Sequence, residues 1–568
     1  MNLFQFMRRV LVQQILTVTQ ETRRHVQGVP HSGTNAKRQT ADRRNVIKLG
    51  LCRMMCPASA AGYPRMIVHV QPLQRRLALW LILALGAQGA WAQSPAEEAA
   101  RIAAEPDFRG RPGGAGNDPQ TSVAQPDSSA RPSANLTTSI QDLLGPSGDP
   151  FGTRAFLKTR GITYSLTYVG ESLSNVTGGA RRGGIAEGRL DFQFDADLGK
   201  VMDWQDATFH TNLYQIHGTG LSRYFVNNFM SVSSIEALPS SRLYEFWVEQ
   251  KFLDGQLGIR VGQLATDTEF AVSQTGTLFL NSTFGWPNIM ASNVPSGGPI
   301  YPLAVPAVRA KYVPNRSFSL QAGIYNGDPA GPPRPDNDPD PQRRNRTGTN
   351  FRTNDPALVI AEAAYAYGLE ANDGIEPGTV TLGGWYHFGG FNSPRFDTNE
   401  GLLASPSSSG VARRFRGNSG IYGIIDQTIY REPDDPNDGA SVFVRMSGSP
   451  SDRNLLNFYV DAGIGYKGLF SGRSDDTIGV AFAIERISDR ARGFDRDAFL
   501  FGGVSGRRRS SEALLEFSYQ AVIGPGVTVQ PDVQYVFRPS GGVANPREVD
   551  GRRIRNAAVF GLRATIRY

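Results

Sequence analysis

The feature that most constrains this chain is a strict two-residue alternation of polar and apolar side chains. The segment 187–198 reads EGRLDFQFDADL, with charged and polar residues at odd positions and apolar residues or glycine at even ones. This period predicts an extended strand with one apolar and one polar face. Because the polar face carries charges of both signs, it must face either bulk solvent or an enclosed aqueous channel.

The same alternation recurs up to the last residue, Tyr568. We identify sixteen such segments, centred near residues 167, 192, 211, 248, 260, 310, 321, 362, 383, 425, 444, 461, 481, 516, 532 and 562. Most of them are roughly 9–13 residues long, which is the length that a tilted strand needs to cross a bilayer. The repeated pattern therefore favours a sheet that is built from membrane-spanning strands.

The connections between these segments alternate in length. Short turns such as 253–255 and 524–526 alternate with long connections, and 449–454 is the one exception, a short connection where a long one is expected. The long connections lie near residues 218–242, 264–305, 326–356, 389–419, 487–510 and 539–555. This arrangement predicts an all-β fold, an outer-membrane β-barrel of about 16 antiparallel strands with both termini on the periplasmic side. The charges of segment 187–198 would then line water inside the barrel. A large soluble β-protein such as a propeller is the alternative, but the sequence has no repeat of fixed period.

The N-terminal part of the chain has a different character. Residues 66–92, MIVHVQPLQRRLALWLILALGAQGAWA, combine two arginines, an apolar run and a small-x-small ending, which predicts a secretory signal peptide. Since such a signal works at an N-terminus, residues 1–65 are interpreted as a non-native extension from a misassigned start. The composition of residues 93–138 predicts a flexible low-complexity segment. Residues 139–568 are assigned to the barrel.

The net charge changes sign once this N-terminal part is removed. The whole chain has a net charge of +7, but residues 1–92 contain 13 Lys+Arg and 2 Asp+Glu, which leaves −4 for the remainder. Both cysteines, Cys52 and Cys56, also precede residue 93. A mildly acidic, cysteine-free protein excludes zinc sites, thiol catalysis and disulfides, and it offers no electrostatic footprint for nucleic acid.

Motifs for catalysis are absent from the sequence. There is no metalloprotease HExxH motif, no P-loop, no dinucleotide-binding glycine motif and no nucleophile elbow. No cofactor or metal is therefore expected. The three histidines after residue 92, His210, His217 and His387, are interpreted as pore or interface residues.

Alternation also predicts which side chains line the lumen. In segment 243–252, LYEFWVEQKF, it assigns Tyr244, Phe246, Val248 and Phe252 to lipid. The residues that it assigns to the lumen on this strand and the next two are Glu245, Trp247, Glu249, Lys251, Arg260, Arg309 and Lys311. A wall that mixes acids, bases and an aromatic ring suits neutral polyhydroxylated solutes, because hydroxyls bond to carboxylate and guanidinium groups and sugar C–H faces stack on rings. The alternative is that these charges pair only with one another and brace the barrel.

The connection that runs from Thr266 to about Val305 is the most apolar of the long ones. It contains LFLNSTFGWPNIMASNVPSGGPIYPLAVP, which is too apolar for a free surface loop. We expect it to fold into the lumen, to narrow it and to act as the selectivity element.

Several stretches resemble the carbohydrate-selective porins of the OprB type. They are ATFHTNLYQIHGTGLS, RLYEFWVEQKFLDGQLGIRVGQLATDTEFAVS, LFLNSTFG, IYPLAVPAVRAKY, LQAGIYNGDP and SEALLEFSYQAVIGPGVTVQPDVQYVFRPSGG, in this order within residues 140–568. The resemblance implies a sixteen-stranded porin with inward-folded loops that admits monosaccharides such as glucose. Carried over by motif, the constriction would include Glu245, Trp247, Arg260, Asp267, Glu269 and Arg309. Family members commonly end in Phe, whereas this chain ends in Tyr568, an aromatic residue that still suits recognition by the barrel-insertion machinery.

These observations predict an outer-membrane porin for passive diffusion of monosaccharides and other small polar solutes, and not an enzyme. The alternatives are a general diffusion porin without sugar preference and, from another class, a barrel enzyme or adhesin. The expected partners are carbohydrate solutes, outer-membrane lipid and lipopolysaccharide, and the insertion machinery, with no nucleic acid among them. The sequence leaves open the preferred sugar and the choice between a monomer and a homotrimer.

Overall fold

The computed structural model describes residues 139–568, except residue 150 and residues 335–336, 370–374, 434, 436, 503–507 and 549–550. The predicted N-terminal extension, signal peptide and low-complexity segment lie outside the described residues. No helix in the described part of the chain is both long and apolar enough to cross a membrane.

Each segment predicted from the alternation falls within one strand. The strands are β1 (Ile162–Gly179), β2 (Gly183–Asp197), β3 (Ala207–Gly218), β4 (Ser240–Phe252), β5 (Leu257–Leu264), β6 (Val305–Tyr312), β7 (Phe318–Asn326), β8 (Ala357–Tyr367), β9 (Gly378–Asp397), β10 (Ala412–Arg431), β11 (Gly439–Gly448), β12 (Leu456–Lys467), β13 (Thr477–Ile487), β14 (Ser511–Gly524), β15 (Val527–Phe537) and β16 (Arg555–Arg567). Each strand pairs with the next in sequence, and β16 pairs with β1, so the sheet is a closed antiparallel barrel. The predicted fold class is confirmed.

The helices of the described residues lie outside the sheet, and all but α7 have at most seven residues. They are α1 (Ile140–Leu144), α2 (Thr153–Thr159), α3 (Leu198–Met202), α4 (Ser282–Gly285), α5 (Asn288–Ser292), α6 (Pro341–Arg344) and α7 (Asp489–Gly502). The first two precede β1, α3 lies in the turn between β2 and β3, and the others lie in long connections.

The terminal residue takes part in closing the barrel. The amide of Tyr568 donates to the carbonyl of Leu166 at 2.8 Å, and the amide of Leu166 donates to the carbonyl of Tyr568 at 2.9 Å. The guanidinium of Arg154, from α2, lies 5.2 Å from the centre of the Tyr568 ring. The aromatic terminus is therefore an integral part of the seam between the first and last strands.

The two faces of the sheet differ as the alternation predicts. On β2, the side chains of Glu187, Arg189, Asp191 and Gln193 face inward and are at most 5% exposed. The outer face carries exposed apolar residues on many strands, for example Leu382, Ile421 and Phe560. A closed sheet of this kind satisfies its backbone groups within the barrel and presents an apolar surface to lipid.

Two predictions about the connections are wrong. The long connection expected at 389–419 has the wrong bounds, because β9 reaches Asp397 and β10 begins at Ala412, which leaves only residues 398–411. Each of these two strands has 20 residues, more than the roughly 9–11 needed to cross a bilayer, so both extend into the expected connection. The β1–β2 connection is also short, so 449–454 is not the sole exception.

The assignment of Tyr244 to lipid is also wrong. The pairing of β3 with β4 shifts register between Thr211 and Leu213, so that Tyr244 and Glu245 both lie opposite Asn212. Such a β-bulge changes the alternation by one residue. The side chain of Tyr244 therefore turns inward and is fully buried, while Phe246 stays exposed on the outer face.

The apolar core lies inside the barrel. Its largest contribution comes from the β5–β6 connection, residues 265–304, which we name the crossing loop. Buried side chains of this loop pack against one another and against the wall; they include Phe270, Phe279, Phe284, Trp286, Ile289 and Met290. Part of the lumen is therefore filled by an apolar core.

Candidate functional site

The crossing loop spans the lumen from one wall to the other. It leaves the barrel at the end of β5, and its Leu280 and Asn281 amides donate to the Glu516 carboxylate on β14, at 2.5 and 3.1 Å. The side-chain amide of Asn281 also donates to Gln534 Oε1 on β15 at 3.0 Å. Since β14 lies about halfway around a sixteen-stranded ring from β5, the predicted inward folding of this loop is confirmed.

A buried arginine fixes the middle of the crossing loop. Arg445 on β11 pairs with Asp461 on β12 at 2.5 Å, and neither side chain is exposed. The same guanidinium donates to the carbonyls of Ala271, Thr283 and Phe284 at 2.7–2.9 Å. One cation therefore donates to three loop carbonyls inside the barrel, where an unpaired backbone carbonyl would be costly.

The β3–β4 connection, residues 219–239, also reaches the far wall. The Glu512 carboxylate on β14 accepts from the amides of Met230 and Phe229 at 2.8 and 2.9 Å. Gln534 on β15 donates to the carbonyl of Val232 at 2.9 Å. Two loops thus enter the lumen; the family resemblance implies inward-folded loops, but the residue pattern identified only the β5–β6 connection.

Strand register brings three charged residues of the lumen wall together. Glu249 on β4 lies opposite Arg260 on β5, and Arg260 lies opposite Arg309 on β6. The crossing loop supplies the fourth residue, Glu269. This residue lies in a tight turn that is closed by a hydrogen bond of 2.9 Å from the Phe270 amide to the carbonyl of Thr266. We refer to Glu249, Arg260, Glu269 and Arg309 as the four-charge cluster.

The cluster is a closed ring of ion pairs. Arg260 Nε donates to Glu249 at 3.0 Å, and Arg309 donates to Glu249 at 2.9 Å and to Glu269 Oε1 at 2.6 Å. Arg260 also pairs with Glu269. The four side chains are between 4% and 15% exposed, so they are mostly buried and only a small part of each meets water. Two positive and two negative groups leave the cluster neutral overall.

The pKa of Glu269 shows which effect dominates in this ring. Burial alone would raise the pKa of the carboxyl, but Arg260 and Arg309 outweigh it and lower the pKa to about 2. Lys311, two residues along β6 from Arg309, adds to this lowering. The carboxylate is therefore ionised throughout the neutral pH range, and the ring stays charge-balanced.

Trp247 packs against the four-charge cluster through Arg260. The Arg260 guanidinium lies 3.6 Å from the centre of the Trp247 ring, and the His210 ring stacks on Trp247 with centroids 4.8 Å apart. His210 Nδ1 in turn lies 2.7 Å from Asp195 Oδ1. Trp247 is only 2% exposed, so in this structure it orients Arg260 and does not offer a ring face to solutes.

Glu245 and Asp267 hold the base of the crossing loop. Glu245 accepts from the Ala265 amide at 3.0 Å, and Asp267 accepts from the Tyr244 hydroxyl and the Tyr301 amide, both at 3.0 Å. Burial raises the pKa of Asp267 to about 6, although these hydrogen bonds oppose the rise. Both carboxylates accept hydrogen bonds at the base of the crossing loop and lie behind the lumen surface.

The structure therefore divides the predicted site residues into two groups. Glu249, Arg260, Glu269 and Arg309 meet in one cluster, with Lys311 beside it on the same strand. Trp247, Glu245 and Asp267 lie behind that surface as supports.

Sequence reasoning did not identify the far-wall anchors Arg445, Asp461, Glu512 and Glu516. Alternation predicts that each of them faces inward, but it does not indicate which loop they bind.

The histidines bind neighbours within the protein. His387 lies 3.0 Å from the carbonyl of Gly327, and His217 lies 3.2 Å from the Tyr168 hydroxyl. Among residues 139–568, as far as they are described, no group of three or more His, Cys, Asp or Glu is placed to hold a metal ion.

Comparison with known proteins gives the family. The model of the carbohydrate-selective porin, OprB family, matches residues 181–568. This chain belongs to that family. The match covers every strand from β2 to β16 and includes all four members of the charge cluster.

Relatives and solved structures agree with this result. The chain is 24% identical to Porin B of Pseudomonas aeruginosa over 441 residues, covering 73% of this chain and 89% of that protein. It is 21% identical to the putative porin QuiX of Acinetobacter baylyi, covering 69% and 88%. The fold is similar to that of Pseudomonas putida OprB solved at high pH, with a TM-score of 0.64, 23% identity, and coverage of 74% of this chain and 98% of that one. The protein is therefore an outer-membrane porin of the OprB family.

Proposed function

We propose that this porin admits neutral polyhydroxylated solutes, monosaccharides such as glucose, by passive diffusion past the four-charge cluster. The observation that carries the proposal is the charge balance of this cluster on the narrowed side of the lumen. Carboxylates and guanidinium groups alternate there within 3.0 Å of one another and remain partly exposed.

The reason lies in what each kind of solute gains at such a surface. An anion or a cation is attracted by two members of the ring and repelled by the other two. A sugar hydroxyl donates to a carboxylate and accepts from a guanidinium, so neighbouring hydroxyls can use neighbouring members of the ring. Because the charges are already paired with each other, these contacts are exchangeable, as diffusion through a pore requires.

The rival proposal is a general diffusion porin in which the four charges only brace the barrel wall. It rests on the low exposure of the cluster, since Arg309 is the least exposed member. Under this reading, solute size alone would set the rate of passage.

Liposome swelling distinguishes the two proposals. Purified protein is reconstituted, and the swelling rates are measured for glucose, for a permethylated glucose that has no hydroxyl donors, for gluconate and for inositol. The sugar proposal expects glucose to exceed the rate that its size predicts, and Arg309→Gln to remove this excess. Arg413→Gln is the matched control, because Arg413 is an exposed arginine that pairs with Glu400 and does not belong to the four-charge cluster.

The other outcomes of the swelling experiment would support other functions for this protein. Rates that follow solute size alone, with no effect of Arg309→Gln, would support the general porin. No swelling with any solute would support a barrel enzyme or adhesin.

Recognition by the barrel-insertion machinery through Tyr568 is a further proposal. Its basis is the aromatic terminus, which is held at the seam of the barrel.

A further inference from the structure

The hairpin formed by β9 and β10 projects beyond its neighbours on the side of the long connections. The first pair between β8 and β9 joins Leu358 to His387, so β9 continues for ten residues without a β8 partner. On the other side, Gly448, the last residue of β11, pairs with Ile421, and β10 extends past it. Long connections of outer-membrane barrels are extracellular, so this part of the hairpin rises on the outer side of the membrane.

The lower part of the hairpin's outer face is apolar. Tyr386, Phe388 and Ile421 are exposed, at 41%, 53% and 73%. The residue between the two aromatics, His387, is buried on the lumen face, which fixes the outward direction of its neighbours. Aromatic residues at this height are typical of the boundary between hydrocarbon and head groups.

Two arginines follow directly above this apolar surface. Arg414 pairs with Asn392 and Arg416 with Gly390, and both arginines are exposed. The intervening Phe415 pairs with Phe391, whose ring contacts the inward-facing His387, so Phe415 is on the lumen side and the two arginines are outside. Successive outward residues are roughly 6–7 Å apart along a strand.

The charges of these arginines are not neutralised by neighbouring acids. Within the described part of the chain, no carboxylate lies within 4.0 Å of Arg414 or Arg416, whereas Arg413 on the opposite face pairs with Glu400 at 2.9 Å. The neighbouring β11–β12 connection is one of the two short connections on this side, so the flank of the hairpin beside it carries no long loop. Uncovered guanidinium groups above an apolar belt match a lipid that has phosphates on its head group.

We propose that this outer face, comprising Tyr386, Phe388, Arg414, Arg416 and Ile421, binds a phosphorylated glycolipid of the outer leaflet. The phosphates bond to Arg414 and Arg416, and the acyl chains cover the three apolar side chains. This inference rests on the outer-membrane location of the chain and not on its solute selectivity, so it can fail or succeed independently of the proposed function.

The test uses the whole folded barrel in detergent micelles, titrated with bisphosphorylated lipid A in the same detergent. The readout is the midpoint temperature at which the folded band is lost on a heat-modifiable gel. We expect lipid A to raise this midpoint in the wild type. In Arg414→Gln/Arg416→Gln the half-saturating concentration should increase roughly 30-fold, because each arginine near an anionic lipid surface contributes a factor of about five.

A matched control removes the same charge elsewhere. Arg346→Gln/Arg413→Gln replaces two exposed arginines that lie outside the proposed face, and it should bind lipid A as the wild type does. All variants should keep wild-type single-channel conductance, since none of the four arginines belongs to the lumen cluster. Dephosphorylated lipid A should leave the midpoint unchanged.

Three results would overturn the proposal. The first is an unchanged half-saturating concentration in Arg414→Gln/Arg416→Gln. The second is an equal effect of inorganic phosphate, which would indicate a phosphate site that does not need the lipid. The third is an equal, arginine-dependent effect of phosphatidylglycerol, which would indicate a general preference for anionic lipid.

Discussion

Replacing Glu269 by glutamine tests whether the ring of ion pairs is a working part of the lumen. The carboxylate pairs with Arg260 and Arg309, and all three side chains are at most 11% exposed. The pKa of Glu269 is lowered from 4.5 to about 2, and each pKa unit corresponds to about 1.4 kcal/mol. The ionised carboxylate is therefore stabilised by about 3 kcal/mol, similar to the cost of about 3–5 kcal/mol for breaking a buried pair.

We expect Glu269→Gln to lower the free energy of unfolding by about this amount and to leave the cluster with one uncompensated positive charge. Urea unfolding in phospholipid vesicles measures the first effect, and the reversal potential in a KCl gradient measures the second, which should shift towards anions. Glu400→Gln is the control, because Glu400 is 75% exposed and pairs with an exposed arginine, and it should change neither quantity.

The stability difference should depend on pH in a defined direction. Because folding lowers the pKa of Glu269, its contribution is fully present above about pH 4.5 and is lost as the pH falls towards 2. Wild type and Glu269→Gln should therefore converge in stability at the acid end. Equal stability and equal ion selectivity of the two proteins at neutral pH would refute the role that we assign to the ring.

Three further predictions concern the supports of the site. Arg445→Met should destabilise the barrel by about 3–5 kcal/mol, because Asp461 would be left buried without its cationic partner. The crossing loop would also lose an anchor, so the open-channel current noise should increase. Unchanged current noise would contradict this role of Arg445. Trp247→Ala should lower the free energy of unfolding in urea by about 3–5 kcal/mol. Trp247→Phe keeps an aromatic ring beside Arg260 and should lower it by less than half of that amount. Equal losses in the two variants would argue against the stacking. Removal of Tyr568 should slow assembly into vesicles, since the terminal residue makes two backbone hydrogen bonds at the seam, and unchanged folding kinetics on gels would contradict it.

Alternation was sufficient to locate the strands because lipid and water impose opposite demands on the two faces of each one. The opening segment illustrates this: Asp191 and Gln193 face the lumen, and Phe192 between them faces outward. The same rule placed Glu249, Arg260 and Arg309 on one wall, and strand pairing then made them neighbours.

Alternation failed where the backbone departs from a regular strand or where the partner is distant in sequence. The bulge at Tyr244 and Glu245 inserts one residue, which no pattern of side chains announces. The anchoring of the crossing loop depends on Arg445 and Glu516, residues more than 150 positions away from the loop atoms that they bind. The parts of β9 and β10 that extend past their neighbours fall in the connection expected at 389–419, because each strand has 20 residues, more than the roughly 9–11 that crossing a bilayer requires.

The response of single-channel current to glucose tests the role of the cluster most directly. A solute that binds at the four-charge cluster should reduce the ion current saturably, and Arg309→Gln should raise the half-blocking concentration while Arg413→Gln leaves it unchanged. A current that falls only with bulk viscosity, identically in the wild type and both variants, would contradict a sugar-binding constriction at these residues.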